Sequence, residues 1–98
     1  MDKPNLEKDK KLLVEIFKKS ARDLSNFLDD LLTEEEKLDL AQRIKIAQAI
    51  IVGKTYDEIA ESIGTSTATV SKIGQVLKYG KGGLQKALEK KSKGGEKK

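Results

Sequence analysis

The sequence predicts an all-α fold of about six helices, and three observations carry that prediction. The only proline is Pro4, and residues 5–79 contain just three glycines, so little interrupts regular structure. Apolar residues recur at helical rather than alternating spacing through most of the chain. Two Thr-x-x-Glu signatures, at Thr33 and Thr55, stand where helices are expected to begin.

In chain order, Leu13, Ile16, Phe17, Leu24, Phe27, Leu28 and Leu31 predict two helices, about 6–20 and 22–31, that share one apolar face. Thr33 with Glu36 then opens a helix of about 34–52. Its apolar set (Leu38, Leu40, Ala41, Ile44, Ile46, Ala47, Ile50, Ile51, Val52) is too wide for a helix with one solvated side. Such a helix is expected to be covered on more than one side, by its own core or by a second chain. Gly53 closes it. Thr55 with Glu58 opens a short helix ending at Ile63, with Tyr56, Ile59, Ala60 and Ile63 as its apolar face. Gly64 sits at the position that favours a left-handed helix stop. Thr65 or Ser66 caps the next helix, which runs to about Tyr79, where Gly80, Gly82 and Gly83 break it. Leu84, Ala87 and Leu88 mark a last short helix. One domain is expected over 1–91, followed by a basic tail, 92–98, without stable structure.

Composition removes several function classes. The 98 residues contain neither Cys nor His, which excludes disulfides, thiol nucleophiles, the usual zinc ligands and the commonest general base. The carboxylates Asp29, Asp30, Glu34, Glu35 and Glu36 cluster near a helix start, where acids are expected for the dipole alone. No Gly-rich phosphate loop accompanies them, so no enzyme, metal or cofactor is expected. No apolar run approaches a membrane span and no signal-peptide pattern opens the chain, so a soluble cytoplasmic protein is expected.

Charge is distributed unevenly. Residues 1–40 carry 8 basic and 11 acidic groups, whereas residues 41–98 carry 12 basic and 5 acidic groups. No acid occurs between Glu61 and Glu89, and Lys72, Lys78, Lys81 and Lys86 lie in that gap. A local basic zone suits a polyanion.

Residues 55–72 read TYDEIAESIGTSTATVSK. A capped helix, a turn led by Gly64 and a second helix make a helix-turn-helix over about 55–79. In that arrangement the second helix enters the major groove of DNA. Val70, Ile73 and Leu77 form its core stripe. Ser66, Thr67, Ala68, Thr69, Ser71, Lys72, Gln75 and Lys78 are the candidate DNA-binding residues. Thr and Ser bond to base edges or phosphates, Gln75 is suited to adenine, and Lys72 to guanine or phosphate. The helix after Ser66 has no acid in its first turn, unlike the helices after Thr33 and Thr55. Its N-terminal N–H groups therefore stay open to phosphate. Gly74, inside the helix, is expected to mark a tight helix crossing. The competing reading is a helical protein–protein interaction module whose apolar stripe is its function.

The segments FLDDLLTEEE, LAQRIKIA, GKTYDEIAESIGTSTATVSK and LKYGKGG, at these distances, resemble the Trp repressor superfamily, and more closely its YerC/YecD branch. The resemblance covers about residues 27–91. It implies a six-helix fold, an intertwined homodimer and two recognition helices facing successive major grooves of a pseudo-palindromic site. By position, Thr67, Ala68 and Ser71 match the base-contacting places. Arg43 matches one of the two arginines that sandwich the indole in true Trp repressors, and Thr33 matches a threonine beside it. Lys72 stands in place of the second arginine, Ile73 in place of a small glycine and Val76 in place of a serine. Lysine lacks the flat stacking guanidinium, and Ile73 would fill the space an indole needs. These substitutions imply a regulator that works without tryptophan as corepressor. Arg43 is expected to pair instead with an acid at the dimer interface.

Overall fold

In the computed structural model, which describes residues 3–89, the expected helices form and no strand occurs among those residues. They are α1 (Leu6–Lys19), α2 (Leu24–Leu31), α3 (Glu34–Ile51), α4 (Tyr56–Ile63), α5 (Thr67–Tyr79) and α6 (Gly83–Leu88). The expected tail at 92–98 lies outside the described residues. Internal contacts gather into two units, Met1–Lys37 and Leu38–Lys98.

The first unit holds α1, α2 and the opening turn of α3. Asn5 caps α1 by accepting from the Lys8 N–H at 3.0 Å. The helix stops at Lys19 because Ser20 turns its hydroxyl onto the Phe17 carbonyl at 2.8 Å. A one-turn 3₁₀ helix, Ala21–Asp23, follows, so α2 begins two residues later than its apolar spacing suggests. Asp23 holds that start, its carboxylate accepting from the Asn26 amide at 3.1 Å. Phe17 and Phe27 meet edge to face, their ring centroids 5.1 Å apart. They line a shallow apolar groove with Leu12, Leu13, Ile16 and Leu31. Neither α1 nor α2 contains a buried residue.

The Thr33–Glu36 capping box is formed. The Thr33 hydroxyl accepts from the Glu36 N–H at 3.1 Å, and the Glu36 carboxylate accepts from the Thr33 N–H at 2.9 Å. Asp29, also among the clustered carboxylates, pairs with Lys37 at 2.7 Å. These acids are thus used in helix starts and in a surface ion pair.

The second unit carries the core. Ile46, Ile59, Ala60 and Val70 are buried together, one from α3, two from α4 and one from α5. Ala49, Ile50, Tyr56, Ile63 and Ile73 pack around them. The wide stripe of α3 is only partly used: Ile46 and Ala47 are buried, while Leu38, Leu40, Ile44 and Val52 remain exposed. At the end of α3, Gly53 takes φ +95°, and the Lys54 N–H reaches back to the Ala49 carbonyl at 3.1 Å. Glycine adopts that conformation without the Cβ penalty other residues meet.

At Gly74 the Tyr56 side chain of α4 lies directly against the backbone of α5. A methyl group there would overlap the Tyr56 hydroxyl and stand 3.0 Å from the ring carbon that bears it. The tight crossing expected from the sequence is therefore specific: glycine makes room for one phenol. Replacing a helix-interior glycine by alanine gains about 1 kcal/mol of propensity. Overpacking costs typically about 1–3 kcal/mol. Because the obstructing ring is anchored on the core, we expect the clash to win, with Gly74→Ala losing about 1–2 kcal/mol in urea denaturation. The same substitution in a Tyr56→Phe background should lose clearly less. Equal losses in both backgrounds would show that the phenol is not the obstacle.

Candidate nucleic-acid interface

The helix-turn-helix is assembled from local signals. Thr55 and Glu58 form a complete capping box, with bonds of 3.1 and 2.9 Å. The Thr55 backbone N–H, and then its hydroxyl, hold the Glu58 carboxyl below its ordinary pKa. That acid is therefore committed to the cap. Gly64 ends α4 at φ +83°, ψ +41°. The N–H groups of Gly64 and Thr65 both donate to the Ala60 carbonyl at 2.9 Å. Of the two candidate caps for α5, Ser66 is the one used: its hydroxyl accepts from the Thr69 N–H at 3.1 Å. The Thr69 hydroxyl lies 3.0 Å from that of Ser66, so both side chains serve the turn. The first turn of α5 holds no acid.

With α4 fixed against it, α5 presents two rows away from the core. Thr67, Ser71 and Lys78 follow one another at helical spacing along one flank, and Gly74, which is buried, lies between Ser71 and Lys78 at its inner edge. Ala68, Lys72, Gln75 and Tyr79 form the neighbouring row. Thr67, Ala68, Lys72, Gln75 and Lys78 are exposed, and Ser71 and Thr69 are half-buried. Val70 is fully buried, Leu77 is half-buried and Ile73 packs against the core cluster, as the core stripe requires. Thr67, Ala68, Ser71, Lys72, Gln75 and Lys78 thus lie in two adjoining rows of small, polar and basic groups, whereas Thr69 is half-buried and engaged with Ser66 at the turn. Two residues near it escaped sequence reasoning. Tyr79 is 78% exposed at the far end of the second row. Tyr56, read only as part of an apolar face, carries its hydroxyl over the buried Gly74, at the inner edge of the first row. An aromatic opposite a helix-interior glycine is a faint signal, and it does not identify the pair in advance.

The residues expected around an effector site have separate occupations. Ile73 is packed on the core, whereas Lys72 and Val76 are exposed. Arg43 pairs with Asp39 of its own helix at 3.3 Å, both side chains being more than half exposed. Ion pairs of that kind contribute little. Thr33 belongs to the first unit, with its hydroxyl engaged in the cap of α3. No helix among the described residues is long and apolar enough to cross a membrane.

Comparison with known proteins agrees with this architecture. The family model described as Trp repressor protein matches residues 9–92. The chain is also similar to the uncharacterized protein YerC of Bacillus subtilis (strain 168), 38% identical over 72 residues, which span 74% of this chain and 69% of that protein. No solved structure matches. Helices in the expected order, a capped helix-turn-helix and a family match over most of its length place the chain in the Trp repressor family.

Proposed function

We propose that the protein is a sequence-specific DNA-binding transcriptional regulator, a cytoplasmic repressor that acts as a homodimer on a pseudo-palindromic site without tryptophan. The observation that carries the reading is the outward surface of α5. Ser66, Thr67, Ala68, Thr69, Ser71, Lys72, Gln75 and Lys78 lie on or beside it, and residues 62–88 contain no acid to repel a phosphate. Residues near the start of the helix meet base edges, and those at its far end meet the backbone. Thr67 and Ser71 accordingly set sequence preference, while Lys78 sets affinity. Genome fragments selected by the purified protein should yield a palindromic consensus. Lys78→Ala should weaken all sequences alike and flatten the salt dependence by about one unit. A change in preferred sequence would reverse the assignment. The interaction-module reading predicts no salt-dependent DNA binding at all.

The homodimer is supported by what each unit leaves uncovered. Leu12 and Leu13 on α1 are 56% and 52% exposed, and Leu38 on α3 is 70% exposed. Phe17, Leu24, Leu31, Leu40 and Ile44 also face outward. Apolar surface of this extent is unusual on a soluble monomer. A second copy of the chain, paired about a two-fold axis, covers such faces and sets two α5 helices one helical turn of DNA apart. Sedimentation at micromolar concentration should give the mass of two chains. A well-folded monomer there would sink the dimer.

Independence from tryptophan rests on Ile73. Its side chain fills space beside the core cluster and steadies α5 from within. Burying a group of this size contributes about 1.5–3 kcal/mol. That is comparable to the coupling of about 1–3 kcal/mol an effector typically supplies. Titrations of labelled operator with and without saturating L-tryptophan should therefore coincide. A gain of about tenfold or more, equivalent to about 1.4 kcal/mol, would mean that a ligand site is open and coupled to α5.

A further inference from the structure

Tyr56 is the first residue of α4, and its ring packs against the core cluster. The ring does not end in the core. It crosses to α5 and places its hydroxyl over Gly74, where any Cβ would collide with it. Helix geometry puts Ser71 one turn before Gly74 and Lys78 one turn after it, on the same flank as Thr67. Gly74 itself is buried, so the phenol covers it at the inner edge of the flank that the DNA-binding reading assigns to the nucleic acid. Among the described residues, the hydroxyl has no hydrogen-bond partner. A phenylalanine would serve the core equally well and would leave no unpaired donor. Tyr56 is half-buried, and its hydroxyl, without a partner among the described residues, is available to a partner outside the chain.

We propose that the Tyr56 hydroxyl, laid across Gly74, donates a hydrogen bond to a phosphate oxygen of bound DNA. The inference rests on the DNA-binding reading. Two carboxylates follow Tyr56: Glu58 is turned back onto Thr55, while Asp57 is exposed in the first turn of α4. On the α5 side the nearest charge along the flank is Lys78, and residues 62–88 contain no acid, which favours an anionic acceptor there. A donor held by a packed ring is rigid, so little side-chain freedom is lost when it binds. Tyr56 thereby becomes a positioning contact: it ties α4 to the backbone while α5 meets the bases.

The test uses the full chain and a duplex recovered by selection from a random-sequence pool. Tyr56→Phe removes the hydroxyl and keeps the ring. It should melt with the wild type and bind about tenfold more weakly, as for loss of a hydrogen bond to a charged group. The salt slope should not change, because a neutral hydroxyl displaces no counterion. Base preference should not change either. Ethylation interference should reveal one phosphate in each half-site whose modification weakens the wild type and no longer matters to Tyr56→Phe. Binding by Tyr56→Phe within about twofold of wild type would overturn the proposal, since a hydrogen bond to a charged group contributes more than that. So would a loss that tracks a lowered melting temperature, or one that changes base preference. A wild-type chain that retains no duplex would overturn the DNA-binding reading itself, and that result is distinct from a wild type and variant that bind equally.

Discussion

The contact between α4 and α5 at Gly74 governs the rest of the functional surface. A helix-turn-helix reads DNA only if its second helix is held at a fixed angle and depth relative to the first. Here that relation is set by few groups: the Ala60 carbonyl that collects the turn, the left-handed Gly64, the buried pair Ile59 and Val70, and the Tyr56 phenol over Gly74. Each removes a different freedom. The turn fixes where α5 starts, the apolar pair fixes which side faces inward, and the phenol fixes how near the helices come. Displacing any one of them moves the outward rows together, because the helix is rigid over its length.

The second unit does this with very little buried material. Its fully covered apolar side chains are Ile46, Ala47, Ile59, Ala60 and Val70, and two of these are alanines. A core of that size contributes modest stability to a chain this short. The local devices matter correspondingly more. The complete Thr55–Glu58 capping box, the Ser66 cap and the left-handed Gly53, Gly64 and Gly82 restrict the helix ends before any tertiary contact forms. On α1, α2 and α3, by contrast, Leu12, Leu13, Leu31, Leu38 and Ile44 remain exposed.

Much of this was legible in the sequence, for a physical reason: the informative signals were local. The Thr33–Glu36 and Thr55–Glu58 boxes, Gly53, Gly64 and the 3.6-residue periodicity of α3 to α5 each depend on residues within one or two turns. The start of α2 departs from the apolar spacing because the Ser20 hydroxyl bonds the Phe17 carbonyl and a 3₁₀ turn follows. Apolar spacing cannot report that hydrogen bond. At the interface, the exposed side of α5 followed from periodicity once Val70 and Leu77 were assigned to the core. The role of Tyr56 did not. It depends on a contact across 18 positions in sequence, between a ring and an absence of side chain. Within the chain, Arg43 pairs with Asp39, one turn away on its own helix.

The division of labour within α5 has an evolutionary consequence. Thr67, Ala68 and Gln75 are exposed, and their side chains hold no hydrogen bond among the described residues. The duties of the turn fall on Ser66 and Thr69, and those of the core on Val70, Ile73 and Gly74. Substitutions at exposed positions without structural partners usually change stability by no more than about 0.5 kcal/mol. Those three positions can therefore drift without endangering the fold. In a duplicated copy of such a chain, the outward chemistry of α5 could be altered by single changes, each leaving a folded protein on which selection could continue to act.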